Sequence, residues 1–167
     1  MLELLVVRHA IAESRDPVAW PDDSARPLTA RGERRFRSAA RGLRRIVPAV
    51  DAVLASPYER AWRTAELLHE EAGWPEPERC RELEAPRPPE DVLGPLAKRS
   101  EASLALVGHE PHLSLLASLL LTGGPDSAQI ELRKGGVVLL GFAGRCEPGQ
   151  AVLRWYLTPK LLRALDR

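Results

Sequence analysis

Two of the four histidines follow short apolar runs that are typical of strands buried on both faces. His9 comes after the run at residues 4–7, and His109 comes after the run at residues 104–107. Because ligands of an open α/β sheet bind beyond the carboxyl ends of its strands, these positions predict that both imidazoles line one site. A neutral imidazole can act as a nucleophile toward a phosphoryl group. A second imidazole can donate a hydrogen bond to the phosphoryl oxygens as charge shifts in the transition state.

Two arginines are expected at the same edge of the sheet. Arg8 directly precedes His9, and Arg60 lies one turn into a helix predicted to start at Ser56, after a strand at residues 51–55. A guanidinium group binds phosphate oxygens bidentately, and the helix N-terminus adds a favourable dipole. Together these side chains predict phosphoryl transfer to a histidine nitrogen.

Paired histidines also suggest a metal site, and either histidine alone could be structural. Two arginines in one pocket would repel a divalent cation, however, and no cluster of acidic ligands accompanies the histidines. Cys80 and Cys146 lie far apart and show no metal-ligand spacing. We therefore expect neither a metal nor another cofactor, and we interpret the cysteines as ordinary thiols of a reducing cytoplasm.

Strands alternate with helices along the chain, a pattern typical of an α/β domain. Strands are predicted at residues 4–7, 51–55, 104–107, 137–142 and 152–157, with a short one near 80–83. Helices are predicted at residues 30–47, 56–73, 89–99 and 112–121, with a last one from 159. We expect a single three-layer domain over residues 1–167, with a mainly parallel sheet and helices on both faces.

Two of the helix starts carry capping signals. Thr29 is a good N-cap for the first helix. In Ser56-Pro57-Tyr58-Glu59, Ser56 is expected to cap the second helix, Pro57 suits the first helical position, and Glu59 completes a capping box.

The first helix combines an apolar face with a band of arginines on its remaining surface. These arginines are Arg34, Arg35, Arg37, Arg41, Arg44 and Arg45. The band is either a docking site for an acidic partner or a solvated helix face, and we favour the solvated face.

Composition excludes several classes of protein. With 44% hydrophobic and 28% charged residues among 167, the chain is not expected to be disordered. A formal net charge of +1 gives no global attraction to nucleic acid or to an anionic membrane. The longest apolar stretch, at residues 113–121, is about half as long as a membrane span requires. We expect a cytoplasmic protein with no nucleic-acid or membrane partner.

Three segments resemble the signatures of the histidine phosphatase superfamily, which also contains the phosphoglycerate mutases. They are Arg8-His9-Ala10, Ser56-Pro57-Tyr58-Glu59-Arg60-Ala61 and Gly108-His109-Glu110-Pro111. The segments at residues 23–32 and 155–159 resemble the short SixA-type branch of that superfamily, the phosphohistidine phosphatases. The resemblance runs along essentially the whole chain and implies a phosphoglycerate mutase-like fold.

Carried over residue by residue, the resemblance implies that His9 accepts the phosphoryl group. Arg8, Arg60 and His109 would then form the pocket that binds the phosphoryl oxygens, with Arg26 as an additional contact. Phosphoryl transfer of this kind makes the protein a metal-independent hydrolase.

The chain departs from the wider family at the proton donor. Mutases and many ester phosphatases carry an acidic residue in an insertion after the second helix, and this region is short here. Glu82 is the nearest positional match and Glu84 the next, although either is equally compatible with a solvated glutamate. An alkyl phosphate needs a proton for its alkoxide leaving group, and general acid catalysis contributes roughly 10²–10⁴-fold. A phosphoramidate has a better leaving group, so phosphohistidine on a protein is the favoured substrate.

Two alternatives remain open at this point. One keeps the chemistry but takes a small phosphate ester, such as a sugar phosphate or a nucleotide, as the substrate. The other is a non-catalytic phosphate-binding module. The expected partner is accordingly a phosphorylated protein of the histidine phosphotransfer type, or a small phosphate ester.

Overall fold

The computed structural model describes all 167 residues and is built around one six-stranded sheet. The strands are β1 (Leu2–Arg8), β2 (Ala52–Ala55), β3 (Pro77–Arg79), β4 (Ser103–Gly108), β5 (Val137–Phe142) and β6 (Val152–Leu157). Their order across the sheet is β3-β2-β4-β1-β5-β6. The first four strands of this order pair in parallel, whereas β5 is antiparallel to both β1 and β6. The sheet is therefore mainly parallel, as predicted.

Helices cover both faces of the sheet. They are α1 (Ala30–Ile46), α2 (Glu59–Leu67), α3 (Leu93–Ala97), α4 (His112–Thr122) and α5 (Pro159–Ala164). Successive residues of a strand point to opposite faces, so Val7 packs in one core with Phe36 of α1, and Val6 packs in another with Leu116 of α4. Two apolar cores on either side of one sheet give the three layers that the sequence predicts.

The third strand and the third helix differ from their predicted positions. The strand expected near residues 80–83 lies at Pro77–Arg79. Because β2 ends at Ala55, which pairs with Arg79, no residue of β2 remains to pair with residues 81–83. Residues Arg81–Leu83 form a 3-10 turn instead. The helix expected at residues 89–99 begins as a 3-10 turn at Pro89–Val92 and becomes α3 only afterwards.

The two predicted caps have different outcomes. Thr29 caps α1 as expected, since its side chain accepts a hydrogen bond of 2.8 Å from the backbone N–H of Gly32. The predicted cap at Ser56 is wrong: α2 begins only at Glu59, and Tyr58 occupies the cap position without a side-chain hydrogen bond. Ser56 instead makes a contact with a residue from the neighbouring strand, described below. No helix in the molecule combines the length and the apolar character that crossing a membrane demands.

Candidate active site

The carboxyl ends of β1, β2 and β4 bring His9 and His109 together. Arg8 pairs with Gly108 in the parallel register, and the backbone N–H of His9 donates to the Gly108 carbonyl at 2.9 Å. The backbone N–H of Ser56, which follows β2, donates to the carbonyl of Val107 at 3.0 Å. The two imidazole centroids are consequently only 5.4 Å apart.

His9 is held as a neutral imidazole with one defined tautomer. Its Nδ1 lies 2.6 Å from the carbonyl oxygen of Ala10, and because a carbonyl only accepts, Nδ1 carries the proton. The lone pair is therefore on Nε2. The side chain is only 6% exposed, and this burial, together with the charges of Arg60 and Arg8, lowers the pKa of His9 to about 3. At neutral pH, His9 has the protonation state that a nucleophile requires.

Ser56, which we predicted to cap α2, orients His109 instead. Nε2 of His109 lies 2.8 Å from the Ser56 hydroxyl oxygen, and the Tyr58 ring meets the imidazole edge-on at a centroid distance of 5.2 Å. A hydroxyl that donates to Nε2 leaves the imidazole proton on Nδ1. The side chain is 2% exposed, and burial, with a contribution from His9, lowers the pKa of His109 to about 2.

Arg60 is anchored by an aspartate from the loop before α1. Its Nη1 donates to the Asp23 carbonyl at 2.8 Å and its Nη2 to Asp23 Oδ2 at 3.0 Å. Arg26 donates from Nε to the other carboxylate oxygen of Asp23 at 2.8 Å and from Nη1 to the Glu13 carbonyl at 2.8 Å. The hydrogen bond from Arg26, followed by the charge of Arg60, holds the pKa of Asp23 below its usual value. Asp23 thus joins the two arginines.

Arg8 is held by the segment that precedes β5. Its Nη1 donates to the Leu132 carbonyl at 2.9 Å, and its charge contributes to the low pKa of His9. Burial lowers the pKa of Arg8 itself, although the neighbouring Glu110 opposes the shift.

Three nitrogen atoms of these side chains are buried without a hydrogen-bond partner in the protein. They are Nε of Arg8, Nε of Arg60 and Nδ1 of His109. A buried donor left unpaired costs about 1–3 kcal/mol, so native proteins rarely leave one without a reason. The two guanidinium nitrogens are donors, and Nδ1 of His109 is a third when its Nε2 accepts from the Ser56 hydroxyl. Next to the neutral imidazole of His9, such donors suit a ligand rich in acceptor oxygens, such as a phosphoryl group.

Two cavities open beside this cluster, and Glu110 borders both. One, of about 480 Å³, is lined by Trp20, Asp23, Tyr58 and Glu110 among others. The other, of about 650 Å³, is lined by residues that include Arg8 and Glu110. The Glu110 carboxylate accepts from the backbone N–H of Ser114 at 2.9 Å, and burial raises the pKa of Glu110.

Neither of the two glutamates proposed as proton donors, Glu82 and Glu84, lines these cavities, although Ala85 and Pro86, which follow Glu84, line the smaller one. Glu82 accepts a 3.4 Å hydrogen bond from the Cys80 thiol, and Glu84 forms a 3.8 Å ion pair with Arg87. Sequence reasoning overlooked Glu110 as a site residue, although its position directly after His109 could have indicated it.

Asp23 and Ser56 were also missed as site residues, because their partners are distant in sequence. No group of three or more His, Cys, Asp or Glu side chains is arranged to hold a metal ion.

Comparison with known proteins identifies a family model that matches the first half of the chain and relatives that cover most of it. Residues 4–85 match the model of the histidine phosphatase superfamily (branch 1). The uncharacterized protein Rv1276c of Mycobacterium tuberculosis is 35% identical over 165 residues, covering 92% of this chain and all of the relative. An uncharacterized protein of Picosynechococcus, SYNPCC7002_A2622, is 34% identical over 141 residues, covering 82% and 83% of the two chains.

Solved structures share the fold at lower identity. The protein histidine phosphatase SixA, solved with tungstate, superposes with a TM-score of 0.80 at 23% identity and covers 95% of this chain and 98% of its own. A mutant phosphoserine phosphatase of Entamoeba histolytica, solved with phosphoserine, gives a TM-score of 0.69 at 16% identity, with coverages of 97% and 100%. These similarities confirm the expected phosphoglycerate mutase-like, SixA-type fold.

Proposed function

Because the chain belongs to the histidine phosphatase superfamily, we propose that it hydrolyses phosphohistidine on a protein, without a metal, through a phosphorylated intermediate on His9. The observation that carries the proposal is the set of three unpartnered buried nitrogens, two of them guanidinium donors, on the residues that accompany the neutral imidazole of His9. Phosphoryl oxygens would supply the missing acceptors, and Nε2 of His9 carries the lone pair that can attack phosphorus.

In the first step, Nε2 of His9 attacks phosphorus and the P–N bond of the substrate breaks. The electron pair of that bond goes to the substrate imidazole, which leaves as a neutral ring because its other nitrogen already carries a proton. The Ala10 carbonyl keeps its hydrogen bond with Nδ1–H and so stabilises the positive charge of the phosphorylated His9 ring.

In the second step, water attacks phosphorus on the opposite side from His9. The P–N bond to His9 breaks, its electron pair returns to Nε2, and a proton of the water is released with inorganic phosphate. The Arg8 and Arg60 guanidinium groups and Nδ1–H of His109 donate to the oxygens on which charge is spread. Asp23 holds Arg60 in position, with Arg26 as its second partner.

The substrate preference rests on the leaving group. Neither of these steps needs a general acid when the leaving imidazole arrives protonated, and neither Glu82 nor Glu84 lines the two cavities that Glu110 borders. Phosphohistidine is compatible with that arrangement.

One observation favours the second candidate, a phosphatase of small phosphate esters. Glu110 borders both cavities, and its raised pKa makes it a better proton donor than an ordinary glutamate. If Glu110 protonates an alkoxide leaving group, an alkyl phosphate becomes a suitable substrate.

A paired hydrolysis assay tests the proposal. The wild-type protein, treated with EDTA, is given a phosphohistidine-bearing peptide and a panel of alkyl phosphate esters, and kcat/KM is compared. We expect the phosphohistidine peptide to be preferred, and His9→Ala to abolish both turnover and labelling by a phosphoryl donor. Loss of activity in EDTA that a divalent metal restores would contradict the metal-independent mechanism. Failure to hydrolyse any phosphate, with tight phosphate binding retained, would favour a non-catalytic binding module.

Glutamine variants of the two glutamates separate the candidate substrates. On phosphohistidine, Glu82→Gln and Glu110→Gln should each lower kcat by less than about tenfold, because little acid catalysis is removed. A loss of about a hundredfold on an alkyl ester in Glu110→Gln, with the wild type faster on that ester than on phosphohistidine, would favour the ester phosphatase. The same loss in Glu82→Gln would restore Glu82 as the acid.

A further inference from the structure

A groove of about 170 Å³ runs between α1, α5 and the loop before β5, directly beside the candidate active site. It starts at Ala10, the residue that follows His9. Four cationic side chains line it, and we call this feature the basic groove: Arg35, Lys134, Lys160 and Arg163.

The charges of the basic groove are not neutralised within the protein. None of its four cations has a carboxylate oxygen within 4.0 Å. Two other arginines of the same helix are paired: Arg37 with Glu70 and Glu71, and Arg41 with Glu71 and Asp166. The predicted arginine band on α1 is therefore divided. Two members are paired internally, four have no carboxylate within 4.0 Å, and of these four only Arg35 lines the groove.

Two cations of the basic groove also repel one another. Burial, and then the charge of Arg35, lowers the pKa of Arg163. Both side chains are half-buried, so solvent screens their repulsion only in part. An acidic ligand would offset the repulsion between Arg35 and Arg163. Contact with solvent alone gives no reason for these two cations to lie close together.

The basic groove is connected to the nucleophile through the loop at Lys134. The N–H of Gly135 donates to the carbonyls of both Arg8 and His9, at 3.0 and 3.1 Å. The charge of Lys134 also contributes to the low pKa of His9. A chain whose phosphorylated residue reaches His9 can therefore place neighbouring residues among these cations.

The shape of the basic groove favours a segment of polypeptide over a small molecule. Its volume is below the roughly 300–1,000 Å³ of sites that enclose a small ligand. Ile11, Phe36 and Pro159 line the same groove and give it apolar wall. A lining that is both apolar and cationic suits an acidic peptide with some apolar side chains.

We propose that the basic groove binds an acidic segment of the protein that carries the phosphohistidine, next to the phosphorylated residue. The proposal rests on the proposed function and names the partner chemistry of the same site. Binding there changes no covalent bond, and its effect is to lower KM for acidic substrates.

The test compares two phosphohistidine peptides, one flanked by glutamates and one by glutamines, on three proteins. Arg163→Glu reverses one charge of the basic groove. Arg145→Glu reverses the charge of an exposed, unpaired arginine near the amino end of β1, opposite the strand ends that carry the candidate site. We expect the wild type and Arg145→Glu to prefer the glutamate peptide by about tenfold in kcat/KM, through KM, with the preference decreasing as salt is added. Arg163→Glu should lose the preference and keep wild-type turnover of free phosphohistidine.

Other outcomes overturn the proposal. Equal kcat/KM for both peptides in the wild type would overturn it while leaving phosphohistidine hydrolysis intact. A similar rise of KM in Arg163→Glu for a small sugar bisphosphate would assign the groove to small anions instead.

If no phosphohistidine peptide is hydrolysed, the proposed function fails, and a binding assay tests the groove separately. In that assay, fluorescence anisotropy of the unphosphorylated glutamate peptide should show binding to the wild type that Arg163→Glu weakens about tenfold. Equal binding by Arg163→Glu would overturn the proposal.

Discussion

Acidification from pH 7 to about pH 4.5 should destabilise the fold through its buried histidines. The pKa of His9 is lowered to about 3 and that of His109 to about 2, chiefly by burial. Burial also lowers the pKa of His112, so His112 adds a loss of stability that the wild type and variants of the two site histidines share. A histidine of the unfolded chain titrates near 6.5. Between these values only the unfolded chain takes up the protons, so the stability is fully present above about pH 6.5 and declines as the pH falls toward the folded-state pKa values.

The size of this loss of stability depends on how far the pH lies below 6.5. One pH unit is worth about 1.4 kcal/mol for a single group, so two units below 6.5 remove roughly 3 kcal/mol per histidine. Because neither ring takes up a proton in the folded protein at pH 4.5, the two contributions add, and we expect a joint loss of about 5–6 kcal/mol. That loss is comparable with the whole stability of many domains, about 5–15 kcal/mol.

Urea unfolding at the two pH values measures the effect. His9→Gln and His109→Gln each remove one of the buried titrating groups. Between pH 7 and 4.5, each of these variants should lose roughly 3 kcal/mol less than the wild type. An identical pH dependence in wild type and both site variants would refute the idea that the imidazoles are held neutral.

Three further predictions concern residues around the site. Asp23→Asn removes a negative charge beside the phosphate site but keeps the backbone carbonyl that holds Arg60, so phosphate should inhibit about three- to tenfold more tightly in a competition assay; weaker inhibition would contradict this. Thr29→Ala removes the cap of α1 and should lower the free energy of unfolding by about 1 kcal/mol in urea titrations, while an unchanged midpoint would show the cap to be dispensable. Gly42→Ala would place a Cβ against the Leu162 carbonyl of α5, so calorimetry should show a lower Tm, with a loss of about 1–3 kcal/mol; an unaltered Tm would mean that α5 shifts freely.

Local patterns predicted most of the fold. The runs at residues 4–7 and 104–107 are apolar throughout because β1 and β4 are central strands with both faces buried. The bounds of β5 and β6 agree with the prediction at both ends. The arrangement of His9 and His109 could also be anticipated, since it depends only on strands ending at one edge.

The errors arise where a distant partner decides the local structure. Ser56 has every local feature of a helix cap, yet its hydroxyl contacts His109, 53 positions along the chain. Asp23 lies in a loop without periodicity, and nothing in its neighbourhood indicates the contact with Arg60. Such long-range contacts depend on the packing of whole elements, which composition and spacing do not specify.

The position of the candidate site at three strand ends also affects folding kinetics. His9, Arg60 and His109 belong to chain segments about fifty residues apart, and they meet only once the parallel strands have paired. A phosphate ion held by all three would act as a reversible cross-link between those segments in the native state alone. Unfolding would have to release this ion, whereas a refolding chain could not bind it until the strand ends had met. Phosphate should therefore slow unfolding and leave the refolding rate unchanged.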